Sequence, residues 1–191
     1  MSSFGTHRAR VHDATRPPRH RLVDLRSCLT HFAPYGFRAT FHHLCQSAGI
    51  PRRPERDPDS LVRAMEELHQ ARLVWLASVT AYAELRTREK HAGRRQPPAD
   101  DAWRAWRRGW HNIAHCPDPG RHPTEPLPVV VRRVLHGPPP DGTGPGGTGP
   151  GGAHGRPVCR VCAGPTTTER WSDGYWTHTL CAGCGVSLGR E

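Results

Sequence analysis

Two pairs of cysteines near the C-terminus constrain the fold of this chain more than any other sequence feature. Cys159 and Cys162 form one C-x-x-C pair, and Cys181 and Cys184 form another. Two such pairs let two tight turns each contribute two thiolates to one tetrahedral metal ion. A segment of under about 40 residues buries too little surface to fold unaided, so its metal-binding energy is its folding energy. We therefore expect a C-terminal module built around one structural Zn²⁺ ion.

The residues between the pairs predict a β-hairpin. TTTERW and YWTHTL are rich in β-branched and aromatic residues, and they flank the turn sequence Ser172-Asp173-Gly174. Gly164 and Gly185 lie just past the pairs, where sharp turns would point backbone N–H groups at the sulfurs.

This order of pair, hairpin and pair resembles the zinc-ribbon family, over residues 156–189 only. The resemblance implies a structural zinc and a hairpin that contacts nucleic acid or a protein partner, as in the machinery of transcription, replication or translation. An iron-sulfur or redox centre is the alternative, because four thiolates alone do not choose the metal.

Catalysis is not expected at this centre. Four sulfurs complete the coordination of zinc and leave no position for a reactive water. The H-x-E signature of zinc deaminases does not occur in the sequence. The residues between Cys162 and Cys181 also lack the Asp-His pair of an HNH-type nuclease. We therefore expect a protein that is not an enzyme.

The net charge favours a polyanionic partner. The chain has 27 basic and 17 acidic side chains, a formal charge of +10, and Lys90 is its one lysine. Part of this arginine-rich bias is typical of a GC-rich, actinobacterial-like composition, yet a field of this sign still attracts nucleic acid. Residues 153–191 contain four basic and three acidic groups, so most of the excess precedes the ribbon.

Composition and hydrophobic periodicity divide the chain into four parts and predict a mainly α protein. We expect a disordered basic arm over residues 1–20 and an α-helical domain over residues 21–136. A flexible Gly/Pro-rich linker over residues 137–155, with TGPGG written twice, leads to the small β zinc ribbon at 156–189.

The helical domain begins with two short helices and a long central one. Apolar residues three and four apart predict helices over residues 21–32 and 37–48, joined at Pro34 to Gly36. This pair is compatible with a helix-turn-helix, and also with any helical bundle. From Asp57-Pro58 to Gly93 no Pro or Gly interrupts a four-three rhythm, which is typical of a bundle spine and sometimes of a dimer seam.

Two further segments follow the central helix. A helix after Asp100 or Asp101 would place Trp103, Trp106 and Trp110 on one side. The segment PLPVVVRRVLHG, residues 126–137, fits a short strand or a helical turn equally.

The candidate nucleic-acid contacts lie in the densest basic patch and on the hairpin. The patch is either a phosphate-binding surface or an ordinary solvated face, and the hairpin rings either stack on bases or cover the small core of the ribbon. The candidates are Arg94, Arg95, Arg104, Arg107, Arg108, Arg170 and Trp176.

We therefore expect a nucleic-acid-binding protein, with DNA favoured over RNA, in regulation or in the maintenance of a mobile element. The alternative is an adaptor, in which the ribbon grips a protein partner and the helix over residues 58–90 docks or forms a homodimer.

Two other groups of soft ligands raise the question of a second metal. Cys28, His31 and Cys45 lie on the first two predicted helices, whereas His111, His115 and Cys116 follow the tryptophan stripe. Cysteines packed as small apolar residues beside exposed histidines are the far commoner arrangement, and this is the alternative for both groups.

The compartment follows from the N-terminus and the thiols. The first residues contain no apolar stretch behind their charges, so no secretory signal is expected. The longest apolar run, residues 73–83, is too short to span a bilayer. Paired thiols reserved for a metal need a reducing environment, which predicts the cytoplasm and no membrane partner.

Overall fold

The computed structural model describes residues 2–93, 113–136 and 158–190 of the chain. These residues form five α-helices, one short 3₁₀ turn and one three-stranded sheet, which confirms a mainly α fold with a long central helix and a small C-terminal β module. The helices are α1 (Phe4–His12), α2 (Pro18–Leu29), α3 (Phe37–Ser47), α4 (Asp59–His91) and α5 (Leu127–His136), with the 3₁₀ turn at Pro54–Arg56 and strands β1 (Thr168–Ser172), β2 (Thr177–Cys181) and β3 (Ser187–Arg190).

Helix α4 is the predicted spine. Asp57, just before Pro58 and the helix, accepts on Oδ1 a hydrogen bond from the backbone N–H of Ser60 at 3.2 Å, which satisfies one free donor of the first helical turn. The 33 residues of α4 would extend about 50 Å. The chain leaves the helix at Gly93, where φ is 77°. The N-terminal half of α4 packs in the core through Leu61, Ala64, Met65, Leu68 and Ala71.

The prediction of a disordered arm over residues 1–20 is wrong for residues 4–12, which form helix α1. Ser3 Oγ accepts the backbone N–H of Thr6 at 3.2 Å and caps the helix. Phe4 and Val11, two turns apart, are buried in the core of the helical body. Two apolar residues make no visible period in a sequence, although they are enough to anchor a helix when other helices supply the core.

Helix α5 decides between the two conformations that the sequence left open for residues 126–137. Leu127, Val130 and Val131 fall on one helical face and are buried against α4. Glu67 on α4 fixes the start of α5, because its Oε1 accepts the backbone N–H of Leu127 at 2.9 Å. The same carboxylate oxygen lies 2.9 Å from Nε2 of buried His43, which ties α3 to both helices.

The sheet contains the predicted hairpin and one additional strand. Strands β1 and β2 pair antiparallel, and the turn between them passes through Gly174 with φ of 92°. Asp173 Oδ1 accepts the backbone N–H groups of Tyr175 and Trp176 at 2.9 and 2.8 Å. Strand β3, which the sequence did not predict, pairs antiparallel with the other edge of β2.

The C-terminal segment, residues 158–190, packs against residues 113–136. The backbone N–H of Ser187 donates to the carbonyl oxygen of His115 at 2.8 Å, and Val161 and Val186 belong to the same buried cluster as the helices. The predicted Trp103 helix lies outside the described residues, as does the Gly/Pro linker at 137–155. The proposed domain boundaries therefore remain predictions.

Among the described helices, none has both the length and the apolar character that crossing a membrane requires.

Candidate metal centre

The four predicted cysteine ligands converge on one point. Cys159 Sγ lies 3.9 Å from Cys184 Sγ, and Cys162 Sγ lies 3.9 Å from Cys181 Sγ. All four sulfurs lie within 4.8 Å of one another. A tetrahedral ion with metal–sulfur bonds of about 2.3 Å requires sulfur–sulfur distances of about 3.8 Å. The cluster can therefore hold one metal ion with little rearrangement.

The two C-x-x-C turns have equivalent backbones. The N–H of Ala163 donates to the carbonyl of Cys159 at 2.8 Å, and the N–H of Gly185 donates to the carbonyl of Cys181 at 2.8 Å. Ala163 has φ of 57° and Gly185 has φ of 70°, so both are left-handed. The expected sharp turn is thus confirmed at Gly185 but lies one residue earlier, at Ala163 rather than Gly164, in the first pair.

Backbone N–H groups act on the sulfurs as expected for a thiolate centre. Burial raises the pKa of Cys162, and the N–H of Gly164 opposes that rise. Burial also acts upward on the pKa of Cys181, but hydrogen bonds from Gly183 and Cys184 outweigh it and hold the pKa below its ordinary value. Such donors stabilise negative charge on sulfur, which is the form that binds a metal.

Two arginines from residues 113–136 brace the two turns. Arg121 Nη2 donates to the carbonyl oxygen of Ala182 at 2.8 Å, and Arg133 Nη1 donates to the carbonyl oxygen of Val161 at 2.6 Å. Each acceptor lies between the two cysteines of its pair. Sequence reasoning missed both arginines, because no local pattern connects them to cysteines that lie far along the chain.

Carboxylates hold these two arginines in place. Arg133 forms a two-pronged ion pair with Glu125, with Nη1 to Oε2 at 2.9 Å, and this hydrogen bonding raises the pKa of Arg133. Arg121 forms an ion pair with Glu169 on β1. Gly185 allows the close approach of the Arg121 backbone, because a Cβ at this position would come within 2.6 Å of the Arg121 carbonyl oxygen.

The other cysteines and histidines do not assemble a second metal site within the described residues, where the four-cysteine cluster is the one candidate group. Cys28 is buried on α2, its Sγ lies 3.8 Å from the carbonyl of Phe4, and burial raises its pKa to about 12. Burial likewise raises the pKa of Cys116 to about 12. His31 contacts the ring of His7. His111 lies outside the described residues.

The structure describes only two of the predicted nucleic-acid contacts, Arg170 and Trp176. Arg170 is exposed on β1, and Trp176 follows the hairpin turn with 49% of its surface exposed. Its neighbour Tyr175 is 92% exposed. The predicted patch of Arg94, Arg95, Arg104, Arg107 and Arg108 lies outside the described residues.

We compared the chain with protein families, curated proteins and solved structures. No family model, curated protein or solved structure matches this chain.

Proposed function

We propose that this is a non-enzymatic nucleic-acid-binding protein, with DNA as its main ligand, in regulation or in the maintenance of a mobile element. In this proposal the four-cysteine cluster holds one structural Zn²⁺ ion, and residues 156–189 are a zinc ribbon. A tetrahedral set of four thiolates suits zinc, and the pair-hairpin-pair order supports the ribbon assignment. The cytoplasm is the proposed compartment, because thiols stay reduced there.

The observation that carries the proposal is the tip of the hairpin. Tyr175 and Trp176 expose 92% and 49% of their surfaces, and Arg170 is exposed on the adjoining strand. Stacking of a base on an aromatic ring contributes about 1–3 kcal/mol, and neighbouring cations add attraction for phosphate. The net charge of +10 supplies the long-range part of the attraction.

Fluorescence anisotropy tests this proposal. The zinc-loaded full chain is titrated into a labelled single strand and a labelled duplex at several salt concentrations. We expect binding to both that weakens steeply with salt, because Lys and Arg contacts release counterions. The double variant Tyr175→Ala/Trp176→Ala should lose single-strand affinity, by about 1–3 kcal/mol per ring. Leu188→Ala, which removes another exposed apolar side chain of the ribbon, is the matched control.

Absence of salt-dependent binding to either ligand would contradict the nucleic-acid proposal and favour the second candidate, a protein adaptor. A ribbon with near-balanced charge and exposed aromatic side chains at its tip supports that candidate, since aromatic residues are enriched at protein interfaces. In the adaptor, the long helix would dock on a partner or pair with a second copy. Light scattering that shows a monomer would remove the homodimer from this candidate.

A further inference from the structure

The acidic side chain of α2 is directed into the molecule, which leaves the outer side of this helix positive. Asp24 is nearly buried, with its side chain 7% exposed. Its Oδ1 lies 2.8 Å from His7 Nδ1 and 3.7 Å from Arg10 Nη1, and its Oδ2 accepts a hydrogen bond from Arg16 Nη2 at 3.2 Å. The one carboxylate of α2 is therefore used to hold the N-terminal segment.

The opposite side of α2 joins two other arginine-bearing segments. Arg26 lies over the rings of Phe37 and Phe41, with Cζ 5.9 and 5.5 Å from their centroids, and this contact connects α2 to the start of α3. Arg19 Nε donates to Glu55 Oε1 at 2.6 Å, which connects α2 to the 3₁₀ turn. The exposed arginines of these three segments and of the two residues before the 3₁₀ turn, called here the arginine face, are Arg19, Arg26, Arg38, Arg52, Arg53 and Arg56.

Little negative charge compensates this face. Residues 18–56 contain seven arginines and two acidic residues, and one of those acids is the inward-facing Asp24. The other, Glu55, is paired with Arg19. Within the described parts of the chain, no carboxylate lies within ion-pairing distance of Arg26 or of the remaining four arginines of the face.

The basic groups of α1 form a contrast, because they serve the fold. Arg8 donates to Glu66 Oε1 from both Nε and Nη2, at 3.3 and 2.9 Å. His12 Nε2 lies 2.9 Å from the same oxygen. Arg21, at the start of α2, is buried and donates to the carbonyl of Val11 at 2.7 Å. These side chains are paired with other groups of the protein, so the N-terminal segment presents less free positive charge than its composition indicates.

We propose that the arginine face binds the phosphate backbone of double-stranded DNA. The inference rests on the proposed function and deepens it, because it assigns duplex binding to α2, the start of α3 and the 3₁₀ turn. Duplex DNA carries one negative charge per about 1.7 Å of axis, which makes it a strong electrostatic match for a group of exposed guanidinium groups that carboxylates mostly leave unpaired. Phosphate contacts of this kind position a protein on DNA without reading its sequence.

The test compares two sets of variants in the zinc-loaded full chain. The face variant is Arg26→Gln/Arg52→Gln/Arg53→Gln. The control variant, Arg88→Gln/Lys90→Gln/Arg132→Gln, removes the same charge from exposed positions elsewhere. Anisotropy with a labelled mixed-sequence duplex of about three helical turns measures the affinity and its salt slope. Circular dichroism and thermal unfolding confirm that each variant folds, as expected for substitutions of exposed side chains.

We expect the face variant to lose at least about tenfold in duplex affinity at moderate salt and to reduce the salt slope by about 0.9 for each phosphate contact removed. The control variant should stay within about twofold of the unmodified chain. Equal losses in both variants, or none in either, would overturn the assignment of duplex binding to this face while leaving the proposed function in place. Failure of the unmodified chain to bind any nucleic acid would overturn the proposed function itself.

Discussion

His42 Nδ1 lies 2.9 Å from His122 Nε2, although 80 residues separate these two histidines in the sequence. His122 Nδ1 is 2.9 Å from the carbonyl oxygen of Pro123, so we assign the proton of the neutral ring to Nδ1. Nε2 then accepts the Nδ1–H of His42. A proton added to Nε2 would abolish this hydrogen bond and set two N–H groups against each other, in rings whose centroids are 5.1 Å apart.

Stability should therefore fall in mild acid. Burial lowers the pKa of His122 below its ordinary 6.5, so the unfolded chain takes up a proton before the folded one does. This contribution is fully present above pH 6.5 and is lost as the pH falls from there toward the folded pKa, by at most about 1.4 kcal/mol per pH unit. Urea unfolding at pH 7.5, 6.5 and 5.5 measures the effect.

His122→Gln should flatten that pH dependence, even though the variant is less stable at pH 7.5. The pH dependence of His69→Gln is measured in the same way for comparison, because burial also lowers the pKa of His69. Glu67 acts in a lower range, since its pKa lies below 4.5 and its contribution is lost only as the pH falls beneath that value. An unchanged slope in His122→Gln would refute the role given to this pair.

The metal content should be one zinc ion per chain. Elemental analysis of protein purified without added metal measures it, and absorbance of an iron-sulfur cluster would contradict the zinc assignment. Cys159→Ser/Cys162→Ser should abolish binding, because two sulfurs remain. Cys45→Ser, outside the cluster, should keep the full zinc content. Removal of the metal by a chelator should lower the melting temperature of the unmodified chain but not of the double variant.

Ala163 and Gly185 occupy equivalent left-handed positions in the two cysteine turns. We expect Ala163→Gly to raise the free energy of unfolding and Gly185→Ala to lower it. Ala163→Gly removes left-handed strain of about 1–2 kcal/mol. It also increases the conformational entropy of the unfolded chain, which costs about 0.4–1 kcal/mol of stability. The net effect should be a stabilisation of about 0.5 kcal/mol. Gly185→Ala adds that strain and a contact of 2.6 Å with Arg121, and should destabilise by more than about 2 kcal/mol. Chemical denaturation with zinc present measures both, and a loss of stability in Ala163→Gly would contradict the geometry.

The arginine braces should affect zinc retention as well as stability. Arg133→Ala removes the hydrogen bond to Val161 and leaves Glu125 without its partner, at a cost of about 1–3 kcal/mol. The same variant should release zinc to a colorimetric chelator faster than the unmodified chain. Arg132→Ala, at the exposed neighbouring position, should change stability by less than about 0.5 kcal/mol. Equal release rates in both variants would show that Arg133 does not brace the centre.

Local patterns were enough to predict much of this fold. Helix α4 follows from an uninterrupted apolar rhythm behind Asp57, and the hairpin follows from β-branched strands around Gly174. Helix α1 was not predicted, because its two buried residues, Phe4 and Val11, are too few to form a recognisable apolar pattern. They stabilise the helix only by packing in a core that other helices build. Strand β3 was missed for a similar reason, since it exists through pairing with β2.

The sequence by itself determined the four-cysteine cluster, since each pair lies on one tight turn and a hairpin brings the two pairs together. It also determined the sign of the charge and the spine of the helical body. Only the tertiary structure decided which charged side chains are paired within the protein and which are exposed. Arg8 and Arg26 are the same residue type in the sequence. In the structure Arg8 is paired with Glu66, whereas Arg26 is exposed over the rings of Phe37 and Phe41. Long-range packing makes that distinction, because it sets which carboxylates face inward and which arginines they meet.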